Sequence, residues 1–436
     1  MIENSALKQL LNLAAQKADA AEVYSLNTQD TPIEFENNRL KSLQTKATQG
    51  VALRLIHNGR LGFASSTDLT RLDDLVDAAL QTAEIGAPAE FEFATDFQYS
   101  SQPTDYTPPS TAEFVQTGKD LIEQVHEYNS DILVEVEFRI RRQNVAIATT
   151  SGVEAQRSSQ TVSGSLSGNL VRGEDFLEIY TYDVVRDRPL NCDRLLQKLL
   201  EKYRNAEQPA TIQTGSYPVL FTPQAVALVF GGLFKTVLSG QTVVQQSSPL
   251  ANKLGETLFD KRFSLFEDPQ MGVNACAFDD EGTPTSRQHL IENGTVQNFY
   301  WDRQWGARGQ GKLGGNGFRG GLSRPRPALV NLCIAPGQSS MQDLIASLDQ
   351  GLIVDQVLGA GQSNQLAGEF SVNLDLGYKI ENGEIVGRLK NTMVAGSIFE
   401  AFQQMVDFGN QPQWFGSSAF VPCILFQQLG VTARQS

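Results

Sequence analysis

Histidine is almost missing from this 436-residue sequence. His57, His126 and His289 are the only three, and no two stand three or four positions apart, so no helix can present a pair of imidazoles. A hydrolytic zinc site usually takes two or three histidines, or histidine with cysteine or carboxylate, on a rigid element. Nothing here approaches HExxH or HExxxH. The same scarcity weakens any Ser/His/Asp triad, and there is no GxSxG elbow. The four cysteines, Cys192, Cys276, Cys333 and Cys423, are scattered without a CxxC pair. That pattern argues against a zinc knuckle or a disulfide framework and for reduced thiols in a cytoplasmic protein. Basic charge is also short: 35 Lys and Arg against 49 Asp and Glu give a net charge of −14. A field of that sign repels phosphate backbones and anionic lipid, which disfavours nucleic acid as a partner. No stretch reaches the ~18–20 apolar residues of a membrane span, so no membrane is expected. The opening MIENSALKQLLNLAAQKADAAE lacks the basic start and unbroken apolar run of a signal peptide.

What is present is ordinary core material, 41% hydrophobic and 19% charged. The length predicts two or three domains of ~100–200 residues. The fold class expected is α+β: a mixed α/β N-terminal region over 1–210, with a sub-boundary near 86–110, then a β-rich domain with antiparallel sheets over 217–436. Helical spacing marks residues 5–17, 68–83, 111–128 and 192–205. A strand is expected at Glu22–Leu26, and alternation at Ile132, Val134, Val136, Phe138 and Ile140 opens an antiparallel meander that continues to Val185. The pairs Asn58-Gly59, Asn293-Gly294 and Asn382-Gly383 supply the positive φ of tight hairpin turns. Residues 207–216 read as an interdomain linker. Beyond it come a strand at Tyr217–Phe221, a helix at 223–238 opened by Pro223, and helices near 341–348 and 398–408.

Two segments are unusual. Gly306–Gly321 (GARGQGKLGGNGFRGG) carries Arg308, Lys312 and Arg319. It does not match GxxxxGK[ST], and a glycine-rich loop over a cleft is favoured over a nucleic-acid tract. Asp279-Asp280-Glu281-Gly282 is an acidic turn, read as solvated in preference to cation-binding.

Four patterns in the second half, in order, carry a resemblance: Ser239-GQTVVQQSSPLANKLGE; Phe278-DDEGTPTSR with the hairpin HLIENGTVQNFY; Gly368-EFSVNLDLGYKIENGEIVG; and Met393-VAGSIFEAF. Together they resemble the TldD/PmbA family, once called modulators of DNA gyrase, and the likeness is strongest from residue 217 onward. In that family TldD carries a zinc-binding HExxxH helix and a cysteine near the C-terminus. The PmbA, or TldE, branch shares the fold without those ligands, and the two pair as a metalloprotease acting on unfolded or extended peptides. Here the corresponding helix reads Val226-ALVFGGLFKTVLSG. The resemblance puts the ligand and base positions on Gly231, Gly232 and Thr236, and the cysteine position on Phe415, so the chain is similar to the PmbA/TldE branch. It implies no catalytic residue, no metal and no cofactor on this chain, with zinc on a TldD-like partner. It also implies a peptide chamber that this subunit walls on one side, capturing extended chains along a sheet edge. Candidate contacts to peptide or partner are Asp280, Glu281, Gly282, Tyr300, Arg308 and Arg319. The rival readings are a stand-alone peptidase with an unrecognised site, a gyrase- or nucleic-acid-associated binding protein, and a homodimer that sequesters peptides.

Overall fold

The computed structural model of the chain describes residues 4–101, 104–173, 175–309 and 314–434. The N-terminal half is one eight-stranded sheet. Its strands are β1 (Ala20–Glu36), β2 (Arg39–Leu43), β3 (Lys46–His57), β4 (Arg60–Ser66), β5 (Gln98–Ser100), β6 (Leu133–Thr149), β7 (Glu154–Arg172) and β8 (Asp175–Arg186). They lie in the order β4-β3-β1-β6-β7-β5, with β2 also on β1 and β8 also on β7. β6, β7 and β8 form the expected antiparallel meander.

Four helices back this sheet: α1 (Asn4–Ala15), α2 (Leu72–Glu84), α3 (Thr111–Tyr128) and α4 (Cys192–Asn205). Side chains alternate along a strand, and over much of β6 and β7 every second residue is buried against the helices while the rest face the other side. Val134, Val136, Phe138 and Ile140 of β6 join Leu121, Val125 and Leu199 of α3 and α4 in one core. Val23, Leu53 and Leu55 meet Leu10, Leu75 and Val76 of α1 and α2 in another. The intervening residues, Arg139, Arg141 and Gln143 on β6 among them, face away from the helices.

In the C-terminal half five strands close on themselves. Gln350–Leu358, Gly215–Phe221, Ile424–Ala433, Thr392–Ser397 and Glu369–Glu381 each bond to the next, and the last returns to the first. Helix α5 (Pro223–Val237) packs against this ring. It starts where the sequence predicts: Thr222 accepts from the Ala225 N–H and Pro223 occupies the first turn. Its Phe230 meets Phe402 edge-on at 5.2 Å in a core crowded with phenylalanine. A six-stranded sheet that includes Leu332–Ile334, Ala419–Val421 and Gln413–Phe415 completes this half.

Several expectations need correction. The first strand runs from Ala20 to Glu36, because neighbours on both sides bond it through the polar stretch Asn27–Thr31. Helix α2 starts at Leu72: the Asp68 carboxylate ties down the Thr70 N–H at 2.9 Å and delays it. The span 207–216 is not a free linker, since Pro209–Ala210 pairs with Arg388–Leu389 and Gly215 already belongs to the ring. The helix expected at 398–408 is only Ile398–Ala401; Met405–Phe408 is a strand held by Ile424–Ala433. Parallel pairs also occur, such as Val219–Phe221 with Leu352–Val354. All three Asn-Gly turns stand, with Asn58 at φ 52° and Gly59 at φ 72°.

Candidate functional site

The helix-free face of the N-terminal sheet looks across at residues 273–277 and Ser417 of the C-terminal half and encloses a chamber of about 530 Å³. Its wall is polar. Arg139 and Arg141 come from β6, Arg157, Ser159, Thr161 and Ser163 from β7, and Tyr182 and Arg186 from β8. Strand register makes this wall: Arg141 lies opposite Thr161, and Thr161 opposite Arg186, so their side chains share one face. Asp280 is the carboxylate on the lining.

Beneath one edge of the chamber lies a buried ion network. Arg54 Nη2 meets Glu22 Oε2 at 2.6 Å, and its Nη1 meets Glu281 Oε1 at 2.9 Å. Arg319 also pairs with Glu22. Arg157 Nη2 meets Asp280 Oδ1 at 2.6 Å, and the Arg319 N–H donates to Asp280 Oδ2 at 2.8 Å. Burial alone would lower the Arg54 pKa, but Glu22 and Glu281 outweigh it and hold it raised. Burial likewise opposes ionisation of Glu22, and Arg54 with Arg319 reverse that. Asp279 behaves in the opposite way. Burial, then the neighbouring Glu281, lifts it well above the carboxylate range, against three backbone N–H donors. Asp302, which caps the short helix Arg303–Arg308, is pushed up to about 7 by burial and by Glu281.

The acidic turn is therefore not solvated. Asp279, Asp280 and Glu281 are all buried, because three arginines from distant strands and loops close over them. Glu281 has no exposed surface to offer a peptide, and the left-handed Gly282 packs on Val153. Tyr300 is buried, its hydroxyl donating to the Lys235 carbonyl at 2.5 Å. Arg308 pairs with Glu90 at 2.5 Å. Arg319 is fully enclosed by Glu22 and the Tyr24 ring. Within Gly306–Gly321, residues 310–313 lie outside the described residues; the rest forms the end of helix Arg303–Arg308, a short strand Gly317–Phe318 and the turn around it. Of the six candidate contacts, Asp280 and Arg319 border the chamber, Arg319 with its side chain buried. The hydroxyl and arginine rows of β6 to β8 were not singled out from sequence. The alternating Arg139, Arg141 and the run Ser159, Thr161, Ser163 were the available signal.

Helix α5 carries Gly231, Gly232 and Thr236, and the strands Gln413–Phe415 and Ala419–Val421 pack against it. A methyl added at Gly231 would meet no atom within 4 Å. Thr236 donates to Gln365 Oε1 at 3.0 Å. Lys235 reaches Ser418 Oγ at 3.4 Å, and burial lowers its pKa. Glycine and phenylalanine offer no donor, threonine and glutamine are poor zinc ligands, and the adjoining lysine adds no imidazole, thiolate or carboxylate. These side chains do not fit a zinc ion.

Fold and site together define an α+β protein with an arginine- and hydroxyl-bearing chamber, and a C-terminal helix, α5, that carries no histidine, cysteine or carboxylate. The description "PmbA/TldA metallopeptidase C-terminal domain" matches residues 214–433, and "PmbA/TldA metallopeptidase domain 1" matches residues 21–83. The chain belongs to the PmbA/TldD metallopeptidase family. Metalloprotease PmbA of Escherichia coli O157:H7 is 23% identical over 441 residues, covering 94% of this chain and 91% of that protein. An uncharacterized protein of Methanocaldococcus jannaschii is 23% identical over 420 residues, covering 93% and 95%. The crystal structure of TldE from Thermococcus kodakarensis shares the fold, with a TM-score of 0.88 at 24% identity over 98% of this chain and 100% of that one.

Proposed function

We propose that this chain is the non-catalytic, TldE-type subunit of a cytoplasmic two-chain metalloprotease, and that it walls a chamber holding unfolded or extended peptide while a TldD-like partner carries the zinc. The observation behind this reading is the side-chain set of α5: the helix the resemblance aligns with the zinc-binding one carries Gly231, Gly232, Lys235 and Thr236 and offers no imidazole, thiolate or carboxylate for a water-activating ion. The chamber supports the second part. On the side of β7 away from β6, β5 borders only Glu154–Gln156 and β8 only from Thr161 onward, so among the described residues that edge of Arg157–Gln160 has no strand beside it. Side chains cover that window instead: Ser101 Oγ takes the Ser158 N–H at 2.8 Å, and Arg186 donates to the Ser158 carbonyl at 3.3 Å. An extended peptide can replace both, because backbone pairing at a sheet edge does not depend on the peptide's side chains.

The test is metal analysis of the purified chain by mass spectrometry, followed by co-purification with a chain bearing HExxxH. The expected result is no stoichiometric zinc and no peptide cleavage alone, with chelator-sensitive cleavage once the partner is added. One tightly held zinc per chain overturns the proposal. A specific contact favours a second reading, the stand-alone peptidase: Lys235 beside Ser418 pairs an amine of lowered pKa with a hydroxyl, the ingredients of an activated nucleophile. Chelator-resistant cleavage by the lone chain, abolished by Ser418→Ala, would decide for it. Nucleic acid remains a disfavoured partner on charge, and sizing the lone chain reports whether it forms a homodimer.

A further inference from the structure

We infer that the chamber selects peptides carrying a carboxylate, an acidic side chain or a free C-terminus, and holds it across the row Arg141–Thr161–Arg186. This rests on the peptide-holding reading above. The three residues are direct neighbours on successive strands, so two guanidinium stems stand about 10 Å apart with a hydroxyl between them. Both long side chains can converge on one carboxylate over Thr161.

The charges are not equally committed. Among the described residues Arg139 is paired with Asp30 and Glu137, Arg157 with Asp280, and Arg319 with Glu22. Arg141 lines the same wall and has no acidic partner among those residues. Asp30, its opposite on β1, gives Oδ2 to Arg139 at 2.8 Å, and its Oδ1 is buried without a hydrogen bond. Arg186 is held firmly only by the Ala275 carbonyl at 2.7 Å; its contacts to Asp187 and Ser158 are both 3.3 Å. The Thr161 hydroxyl makes no hydrogen bond among the described residues and can donate to a ligand. A free guanidinium, a loosely held one and an open hydroxyl suit a planar anion that accepts bidentate bonds. The chamber's about 530 Å³ admits a few extended residues and excludes a folded domain. Asp280 is already paired with Arg157 and the Arg319 N–H, so it adds little repulsion.

The experiment is fluorescence anisotropy on the intact chain with short unstructured peptides bearing a neutral dye. One peptide is neutral and amidated, and a second has a central Glu and an amidated end. A third is neutral with a free C-terminus, and a fourth has a central Lys. The expected result is that a carboxylate peptide binds roughly tenfold or more tightly than the neutral amidated one, which is the scale of a charge-assisted hydrogen bond. Whichever carboxylate peptide wins identifies the source of the anion. Arg141→Ala should remove the preference, and Arg141→Glu should transfer it to the Lys peptide; Arg141 is exposed, so both variants keep the fold by circular dichroism. Equal binding of all four peptides, or a preference untouched by Arg141→Ala, overturns the inference and leaves the peptide-holding reading intact. If no peptide binds while a single-stranded oligonucleotide does, both fall.

Discussion

At the scale of single residues, the decisive groups are charges held away from water. Arg54 is 2% exposed, and its guanidinium serves Glu22 and Glu281 together. Arg54→Met would leave two carboxylates buried with too little counter-charge. The expected cost is ~3–5 kcal/mol, the usual price of breaking a buried pair from one side. A denaturant titration measures it, and a loss under about 1 kcal/mol would contradict the network as drawn. Asp302 gives a prediction in pH. Its folded pKa is raised from 3.8 to about 7 by burial and by Glu281. The folded state therefore binds the proton more tightly than the unfolded chain. The resulting stability is full below the ordinary carboxylate pKa and is lost as pH rises through the raised one. Asp302→Asn keeps a side-chain oxygen for the Trp305 N–H and removes the titration. Melting curves of the two proteins between pH 4 and 7 should thus diverge, with the variant losing less stability per pH unit, by up to ~1 kcal/mol. Parallel curves would place the Asp302 proton elsewhere.

At the scale of elements, α5 and the short helix Gly240–Val244 after it give opposite answers to the same substitution. Gly231→Ala fills open space and replaces a poor helix former, and should stabilise by ~0.5–1 kcal/mol. Gly240→Ala drives a methyl into the Trp301 ring and should cost ~1–3 kcal/mol. Thermal melts of both variants check the contrast. Elements governed by neighbours in sequence are legible from the sequence alone. The Asn-Gly hairpins need only their own φ, and α5 needs only Thr222, Pro223 and its apolar stripe. Met405–Phe408 was misread as helix because only pairing with Ile424–Ala433 makes it a strand. Asp279–Glu281 was misread as solvated for a related reason: an acidic run looks hydrophilic until Arg54, Arg157 and Arg319 arrive from other strands and loops.

At the scale of the whole molecule, the two halves share a core. Val136, Phe138 and Leu199 belong to the same cluster as Leu220, Leu376, Ile380 and Leu425. Residues 1–210 expressed alone should therefore expose apolar surface, bind a hydrophobic dye and lose near-ultraviolet circular dichroism. The full chain should melt in one cooperative calorimetric transition. A fragment 1–210 with a sharp melt of its own would show the shared core to be dispensable. The chamber has the same dual origin. The alternation on β6 and β7 announced that one face would be polar, but not that residues 273–277 and Ser417 would roof it, since that depends on how the halves meet.

The six ions Glu22, Arg54, Arg157, Asp280, Glu281 and Arg319 contain three of each sign. Replacing Arg54 alone leaves Glu281 buried without its counter-charge, whereas removing Arg54 together with Glu281 leaves Arg319 with Glu22 and Arg157 with Asp280. The chamber's ligand preference and its footing are thus separable: the exposed Arg141 can be exchanged without disturbing the buried ions that brace the two halves.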